Sequence, residues 1–568
     1  MLQENLIKMY EASFREHHAL TALTDYFSKD SKTYFEMAEQ IARMHVLFDR
    51  LGIKQGDKVA LIGRNNINWC ITYIATITRG IVIVPILQDF NPADVENIVT
   101  HSESRVLFAG QTFWPSYDSD RMPLLEAAFT IEDLKFVYEK EGSTAAAEAV
   151  AGWDEAYKAA YPNGFSIDDI KYTDVPNEQM ILLNYTSGTT GSSKGVMLSV
   201  NNLTGNMVFA RDMINPNTGK EYFFAGGRSL SFLPLAHAYG CAFDFLVQLV
   251  VGGNVTLLGR MPSPTILVEA MKNVKPTVIC SVPLVLEKVY RKMIMPMLES
   301  GPMSIAMKIP FINTALYAII KAKLMESFGG EAQIFIVGGA PINHETESFL
   351  RQINFPLTVG YGMTECGPLI SVTAQYEDFK PSSCGRYIKD MLDVRINSAD
   401  PYTIPGEILV RGEHVMLGYY KNEKATAEAI DADGWLHTGD MGTIDLDGTL
   451  YIRGRCKTMI LTGSGQNIYP EEIEDKLNNM PLILESLVLE NEGKLYGLVV
   501  PDFETCEREG IDRATLEQTM EENLKQLNSQ VAAYERLVSL NIYPSEFEKT
   551  PKKSIKRYLY NVSKLGIN

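Results

Sequence analysis

Along most of this chain, short continuous apolar runs alternate with longer stretches in which apolar residues recur every three or four positions. Lys58-Val-Ala-Leu-Ile62 leads into Gly63-Arg-Asn-Asn66, a turn, and then a segment of helical period. Ile81–Ile86, Arg105–Ala109, Phe136–Tyr138, Thr277–Ser281 and Ile334–Gly339 repeat that order. Apolar runs this short, separated by helices, read as strands buried on both faces, so they predict parallel sheets in an α/β fold.

The pattern changes after about residue 384. Asp393–Ile396, Gly406–Arg411 and Gly448–Arg453 are short, alternating and bounded by turn residues, which predicts an antiparallel sheet or barrel over 385–454. Gly454-Arg-Cys-Lys457 is a polar break. Beyond it, helix Pro470–Met480, strands Ser486–Glu490 and Leu495–Val500, helix Thr515–Tyr534 and a strand near Leu537–Tyr543 predict a small α+β unit. The expected organisation is an α/β N-terminal domain over 1–454 with a β-barrel-like part, a hinge at 455–457, and a C-terminal α+β domain over 458–568.

Composition narrows the function. The chain has 568 residues, 46% hydrophobic and 21% charged, as in an ordinary soluble globular protein. A net charge of −18 argues against a nucleic-acid surface, although a nucleotide site needs only local donors. The seven cysteines are scattered without a CxxC pair, which fits a reducing, cytoplasmic setting with no zinc site or disulfide framework. Gly80–Leu87 and Phe243–Val251 are the longest apolar stretches and are too short to span a bilayer. The first ten residues read as the start of an amphipathic helix, not a signal peptide. Peripheral membrane contact and oligomerisation stay open.

The strongest chemical signal is Tyr185-Thr-Ser-Gly-Thr-Thr-Gly-Ser-Ser-Lys194-Gly195. Hydroxyls and backbone N–H groups donate to phosphate oxygens, glycine allows close approach, and a lysine adds mobile charge. The loop is a polyphosphate cradle, but not a Walker A loop, because Gly191 and Lys194 are separated by two serines and Gly195 follows the lysine. Met180–Tyr185 reads as the strand before it, Val196–Ser199 as the strand after it, and a helix begins near Asn201.

This loop is followed, in order and at wide spacing, by Tyr361-Gly-Met-Thr-Glu365, His437-Thr-Gly-Asp440 and Gly454-Arg-Cys-Lys457. Together they resemble the adenylate-forming superfamily of acyl-CoA synthetases, nonribosomal adenylation domains and luciferases. Phe232–Gly240, Ser281–Tyr290 and a helical insert over Arg291–Gly329 with a Met-rich start resemble long-chain fatty-acid–CoA ligases in particular. The resemblance implies ATP, Mg2+ and a fatty acid as ligands, with CoA as co-substrate.

It also implies roles. Thr186, Ser187, Gly188, Thr189, Thr190, Gly191 and Lys194 would clasp the β- and γ-phosphates. Glu365 would hold magnesium with Ser187, and Thr364 would reach the α-phosphate beside Tyr361 and Gly362. Asp440 suits the ribose, because a carboxylate accepts from both vicinal hydroxyls, and Arg455 resembles the second ribose contact. Gly338, Gly339 and Ala340 would lie flat against adenine, and His237 would line the junction of acyl group and adenylate. Lys457 is placed like the hinge about which the family's mobile small domain rotates. Gly463 and Gly465 resemble the turn that meets the pantetheine arm of CoA.

One departure stands out. The family usually reads Thr-Pro-x-x-Lys-Ile-x-Arg near the C-terminus, with the lysine reaching the carboxylate and α-phosphate. Here Thr550-Pro-Lys-Lys-Ser-Ile-Lys-Arg557 puts Ser554 at that place, so Lys553 or Lys552 is expected to substitute. Three functions follow as alternatives: a fatty-acid–CoA ligase, a fatty-acyl-AMP ligase that loads a carrier protein, or a non-catalytic nucleotide- or acyl-binding homologue.

Overall fold

The computed structural model of the protein describes residues 2–186, 193–260, 262–299, 309, 312–373, 380–461, 466–550 and 554–562. Two large sheets dominate. An eight-stranded sheet has the spatial order Gly418–Tyr419, Lys194–Ser199, Met180–Thr186, Val82–Ile86, Lys58–Ile62, Ser104–Ala109, Ala127–Thr130, Phe136–Glu139. Lys58–Ile62 pairs in parallel with Val82–Ile86 and with Ser104–Ala109, whereas Met180–Thr186 and Lys194–Ser199 form an antiparallel hairpin. A nine-stranded sheet runs Arg386–Tyr387, Leu369–Val372, Leu357–Gly362, Ile334–Val337, Val278–Ser281, Arg228–Ser231, Asn254–Leu257, Thr21–Asp25, Ser31–Thr33. The α/β class expected from the apolar runs is the observed one.

Helix Ile67–Thr78 touches strands of both sheets, which explains its sequence. A helix apolar around its whole circumference must be covered on every side. Trp69, Tyr73, Ile74 and Ile77 are all buried, and Asn66 caps the first turn by accepting from the Trp69 N–H. The hydroxyls of Thr76 and Thr78 donate to carbonyls one turn back, at 2.7 and 2.6 Å, so they enter the core without stranded polar groups.

Residues 392–455 form a four-stranded antiparallel sheet in the order Leu392–Asn397, Gly406–Gly412, Leu436–Ile444, Leu450–Arg455. It is the sheet form of the expectation; its outer strands do not pair with each other among the described residues. The last strand lies two residues later than the alternation implied. Asp445–Thr449 closes a turn, with the Gly448 N–H on the Asp445 carbonyl at 2.9 Å, and pairing then continues through Gly454 and Arg455.

Beyond it, Ile483–Asn491 and Lys494–Pro501 form a hairpin to which Leu537–Ile542 adds in parallel. Helices Pro470–Asn478 and Arg513–Gln530 accompany this sheet, which has its own hydrophobic core around Ile473, Leu477, Val499, Met520 and Leu527. Among the described residues no helix is long and apolar enough to cross a membrane.

The apolar Phe243–Val251 stretch folds as part of a π-helix, Cys241–Leu246, followed by α-helix Val247–Val251. Its one acid, Asp244, is fully buried. Burial pushes the Asp244 carboxyl well above its ordinary value, with the neighbouring Cys280 thiol pulling the other way. The folded protein therefore keeps this proton at pH values where the unfolded chain has lost it, and stability falls as pH rises past the unfolded value of 3.8. Asp244→Asn removes that slope. In denaturant titrations at rising pH above about 4, the variant should gain steadily on the wild type; a constant difference would contradict the buried, protonated acid.

Candidate active site

The phosphate-loop hairpin is clamped from its free edge. Thr186 and Lys194 face each other across its mouth. Ser187, Gly188, Thr189, Thr190 and Gly191 lie outside the described residues. Gly418–Tyr419 pairs antiparallel with Val196 and Met197, and the Tyr420 N–H donates to the Gly195 carbonyl at 2.8 Å. Alternation along this short strand sends Tyr419 and Tyr420 in different directions. The Lys194 ammonium sits over the Tyr419 ring, 4.7 Å from its centroid, and the Tyr419 hydroxyl donates to Glu365 Oε1 at 3.0 Å. Tyr420 donates to Glu103 at 2.7 Å. One tyrosine thus joins the loop lysine to the carboxylate expected to hold metal.

Glu365 owes its position to a glycine. Strand Leu357–Gly362 ends where a side chain cannot fit: a Cβ on Gly362 would lie 2.0 Å from the Pro368 carbonyl oxygen. The chain turns back there, the Met363 N–H donating to that same oxygen at 2.9 Å, and Thr364–Cys366 forms a 3-10 turn. Thr364 and Glu365 are buried in it. The Glu365 carbonyl accepts from the Met416 N–H at 2.9 Å, which fixes the segment to the chain that carries Tyr419.

From the end of that strand Tyr361 reaches the four-stranded sheet. Its hydroxyl donates to Asp440 Oδ2 at 2.7 Å. Asp440 Oδ1 accepts from Arg455 Nε at 2.8 Å, across a register pair of the hairpin. The acid's side chain is 6% exposed and the arginine's 62%, so the arginine forms the open side of the pair. Burial pushes the Asp440 carboxyl up, and the charge of Arg455 and the Tyr361 hydroxyl oppose that. Glu407 braces the preceding turn: it accepts from the Gly439 N–H at 3.1 Å and lies 2.8 Å from His437 Nδ1.

Gly338, Gly339 and Ala340 leave strand Ile334–Val337 at its carboxyl end, beside the equivalent end of Leu357–Gly362. Ligands of α/β sheets bind outside such ends. Gly339 has φ +84°, and a Cβ added there would meet nothing within 4 Å. Gly338 is walled by the Tyr239 ring, 3.7 Å from where its Cβ would be. The Tyr239 hydroxyl donates to the Ile336 carbonyl at 2.9 Å, and half-buried His237 caps the short helix Ala238–Gly240 two residues before.

The structure thus joins Lys194 to Glu365 through Tyr419, and Tyr361 to Arg455 through Asp440, and sets Tyr239, two residues after His237, against Gly338. Lys457 is exposed in the turn after Arg455. Gly463, Gly465 and Lys553 lie outside the described residues. Ser554 is exposed, and its carbonyl accepts from the Thr550 N–H at 2.8 Å. Tyr419 and Glu407 were not legible as site residues; the aromatic pair after Gly418 was the one signal for Tyr419. As a metal site, Glu365 suits Mg2+, which commonly takes one or two carboxylates and completes its shell with phosphate oxygens and water. Among the described residues no cluster of three His, Cys, Asp or Glu would hold a metal unaided.

A two-sheet α/β body with a Gly-, Ser- and Thr-rich hairpin and a buried acid paired to an exposed arginine suits a nucleotide-handling enzyme. Residues 10–420 match the AMP-binding enzyme family, and residues 457–561 match the AMP-binding enzyme C-terminal domain. The chain belongs to the AMP-binding enzymes. It is 30% identical to the long-chain-fatty-acid–CoA ligase FadD15 of Mycobacterium tuberculosis (strain ATCC 25618 / H37Rv), over 92% of this chain and 89% of that protein. It is 27% identical to human long-chain-fatty-acid–CoA ligase ACSBG1, over 88% and 74%. Its fold is similar to that of the anthranilate CoA ligase AuaEII in complex with anthranoyl-AMP, with a TM-score of 0.75, 18% identity and coverage of 98% and 97%. ATP-bound MatB from Rhodopseudomonas palustris gives a TM-score of 0.74 at 21% identity, covering 98% of both chains.

Asp440→Asn keeps an acceptor for Tyr361 and removes the charge facing Arg455. Calorimetric titration with magnesium and ATP should show affinity weakened about tenfold or more, with the melting midpoint moved by no more than about 2 °C. Unchanged affinity would remove Asp440 from the nucleotide site.

Proposed function

We propose that this protein activates a long-chain fatty acid with ATP and transfers the acyl group to CoA. In the first step a carboxylate oxygen attacks the α-phosphorus, a mixed acyl–phosphate anhydride bond forms, and the bond from the α-phosphorus to the bridging oxygen breaks as pyrophosphate leaves. In the second the CoA thiolate attacks the acyl carbonyl, the thioester forms, and AMP leaves. The observation that carries this reading is the convergence of the Lys194–Tyr419–Glu365 chain and the Asp440–Arg455 pair on one segment, Tyr361–Glu365.

The residues divide the work by charge. Lys194 and the hairpin neutralise the β- and γ-phosphates, which makes pyrophosphate a better leaving group. Glu365, with Ser187, would hold magnesium, which would supply further charge stabilisation at the phosphates. The Tyr419 hydroxyl fixes the Glu365 carboxylate, so no reorganisation is needed as charge moves. Asp440 and Arg455 hold the ribose, and Gly338–Ala340 leave room for the adenine. His237 borders the reacting carboxylate. Lys553, with Lys552 beside it, takes the place of the lysine missing at Ser554 and reaches the carboxylate during adenylation. Lys457 is the pivot about which the C-terminal unit turns, and Gly463 and Gly465 then meet the pantetheine arm. The printed names of FadD15 and ACSBG1 support a long-chain acid as substrate. We place the protein in the cytoplasm, where ATP and CoA are supplied.

Incubation with ATP, magnesium and palmitate should give AMP and palmitoyl-CoA only when CoA is present. Palmitoyl-AMP that CoA cannot discharge would favour a ligase that loads a carrier protein, and no pyrophosphate exchange under any condition would overturn the catalytic reading. Lys553→Ala should lower palmitate-dependent pyrophosphate exchange about hundredfold and leave transfer from preformed palmitoyl-AMP unchanged. If the exchange survives in Lys553→Ala and in the double variant with Lys552→Ala, neither lysine has the role.

A further inference from the structure

We propose that Arg291 is a positioning residue that latches the C-terminal unit in one of its two working orientations. The inference rests on the reading that this unit turns between adenylation and thioester formation. Arg291 stands on the π-helix Tyr290–Ile294, which is anchored in the larger part of the protein. Tyr290 is buried there, its ring 5.2 Å from that of Phe349, and its hydroxyl donates to Glu345 at 3.2 Å. The next side chain, Arg291, reaches the C-terminal unit.

The guanidinium of Arg291 spans two carbonyls of that unit. One nitrogen donates to the Asn478 carbonyl, at the end of helix Pro470–Asn478, and another to the Ile483 carbonyl at 3.5 Å. The carbonyl end of a helix carries partial negative charge, and a planar fork suits two acceptors better than an ammonium does. A second contact lies beside it. The Asn343 amide donates to the Asn479 side chain, and Glu287 holds the Asn343 N–H at 2.9 Å. Glu287 and Asp475 face each other across this boundary, and burial raises the pKa of both. Arg291 lowers the Glu287 value, and His344 and Lys476 lower that of Asp475. Positive charge in the patch comes from Arg291 on the larger part of the protein and from Lys476 on the C-terminal unit, with His344 beside Asp475.

Among the described residues none of these groups is hydrogen-bonded or ion-paired to Lys194, Glu365, Asp440 or Arg455, so the latch acts through the orientation of the unit and not on the reacting atoms. A charged donor lost from one orientation shifts the balance between the two by about tenfold. The test measures the two half-reactions separately in the full-length protein. Palmitate-dependent pyrophosphate exchange without CoA reports adenylation, and conversion of preformed palmitoyl-AMP with CoA reports thioester formation. Arg291→Ala should slow one of them about tenfold and leave the other within about twofold, with Arg291→Lys in between and melting curves matching the wild type. Equal loss in both, or no loss in either, would overturn the latch. A wild type inactive in both assays would instead overturn the functional reading.

Discussion

A carboxylate withdrawn from water has to find its compensation nearby, and Asp440 sets that condition for the whole site. Removing a partner from a buried, paired charge costs about 3–5 kcal/mol. Asp440 answers with two partners from different parts of the chain: the Tyr361 hydroxyl from the nine-stranded sheet and the Arg455 guanidinium from its own hairpin. The two sheets are therefore held together at the spot where Tyr361–Glu365 begins. The rest of the site is arranged from that fixed point, because Glu365 and its tie to Tyr419 lie a few residues further on.

The same logic explains why the site has a rigid side and an adaptable side. Asp440 and Glu365 are buried, and the Pro368 carbonyl crowds the backbone at Gly362, which leaves little freedom there. Arg455 and Lys457 are exposed at the end of the last strand of the four-stranded sheet. A reaction in two steps with different second substrates needs both: phosphates held without reorganisation, and a second unit able to present different groups to the same adenylate.

Much of this was legible in the sequence, and the reason is local. Strands such as Lys58–Ile62 declare themselves through continuous apolar runs, and the phosphate hairpin through glycines and hydroxyls placed between two of them. Gly338 and Gly339 were readable as positions where a ligand approaches the backbone, because they end a strand. What could not be read depended on distant pairing. Tyr419 meets Glu365 only because Gly418–Tyr419 adds to the edge of the hairpin. Asp244 and Arg291 both lie on π-helical turns, which leave no periodic trace in the sequence. The last strand of the four-stranded sheet was placed two residues early because a tight turn, Asp445–Thr449, used residues that alternate like a strand.

The central claim is that the acid is carried as its adenylate, and the oxygen atoms of the acid can report this directly. Palmitate labelled with 18O in both carboxylate positions is incubated with the protein, ATP, magnesium and CoA, and the AMP is analysed by mass spectrometry. Attack of the carboxylate on the α-phosphorus leaves one labelled oxygen in each AMP formed. AMP without label, or label found in pyrophosphate or phosphate instead, would contradict it.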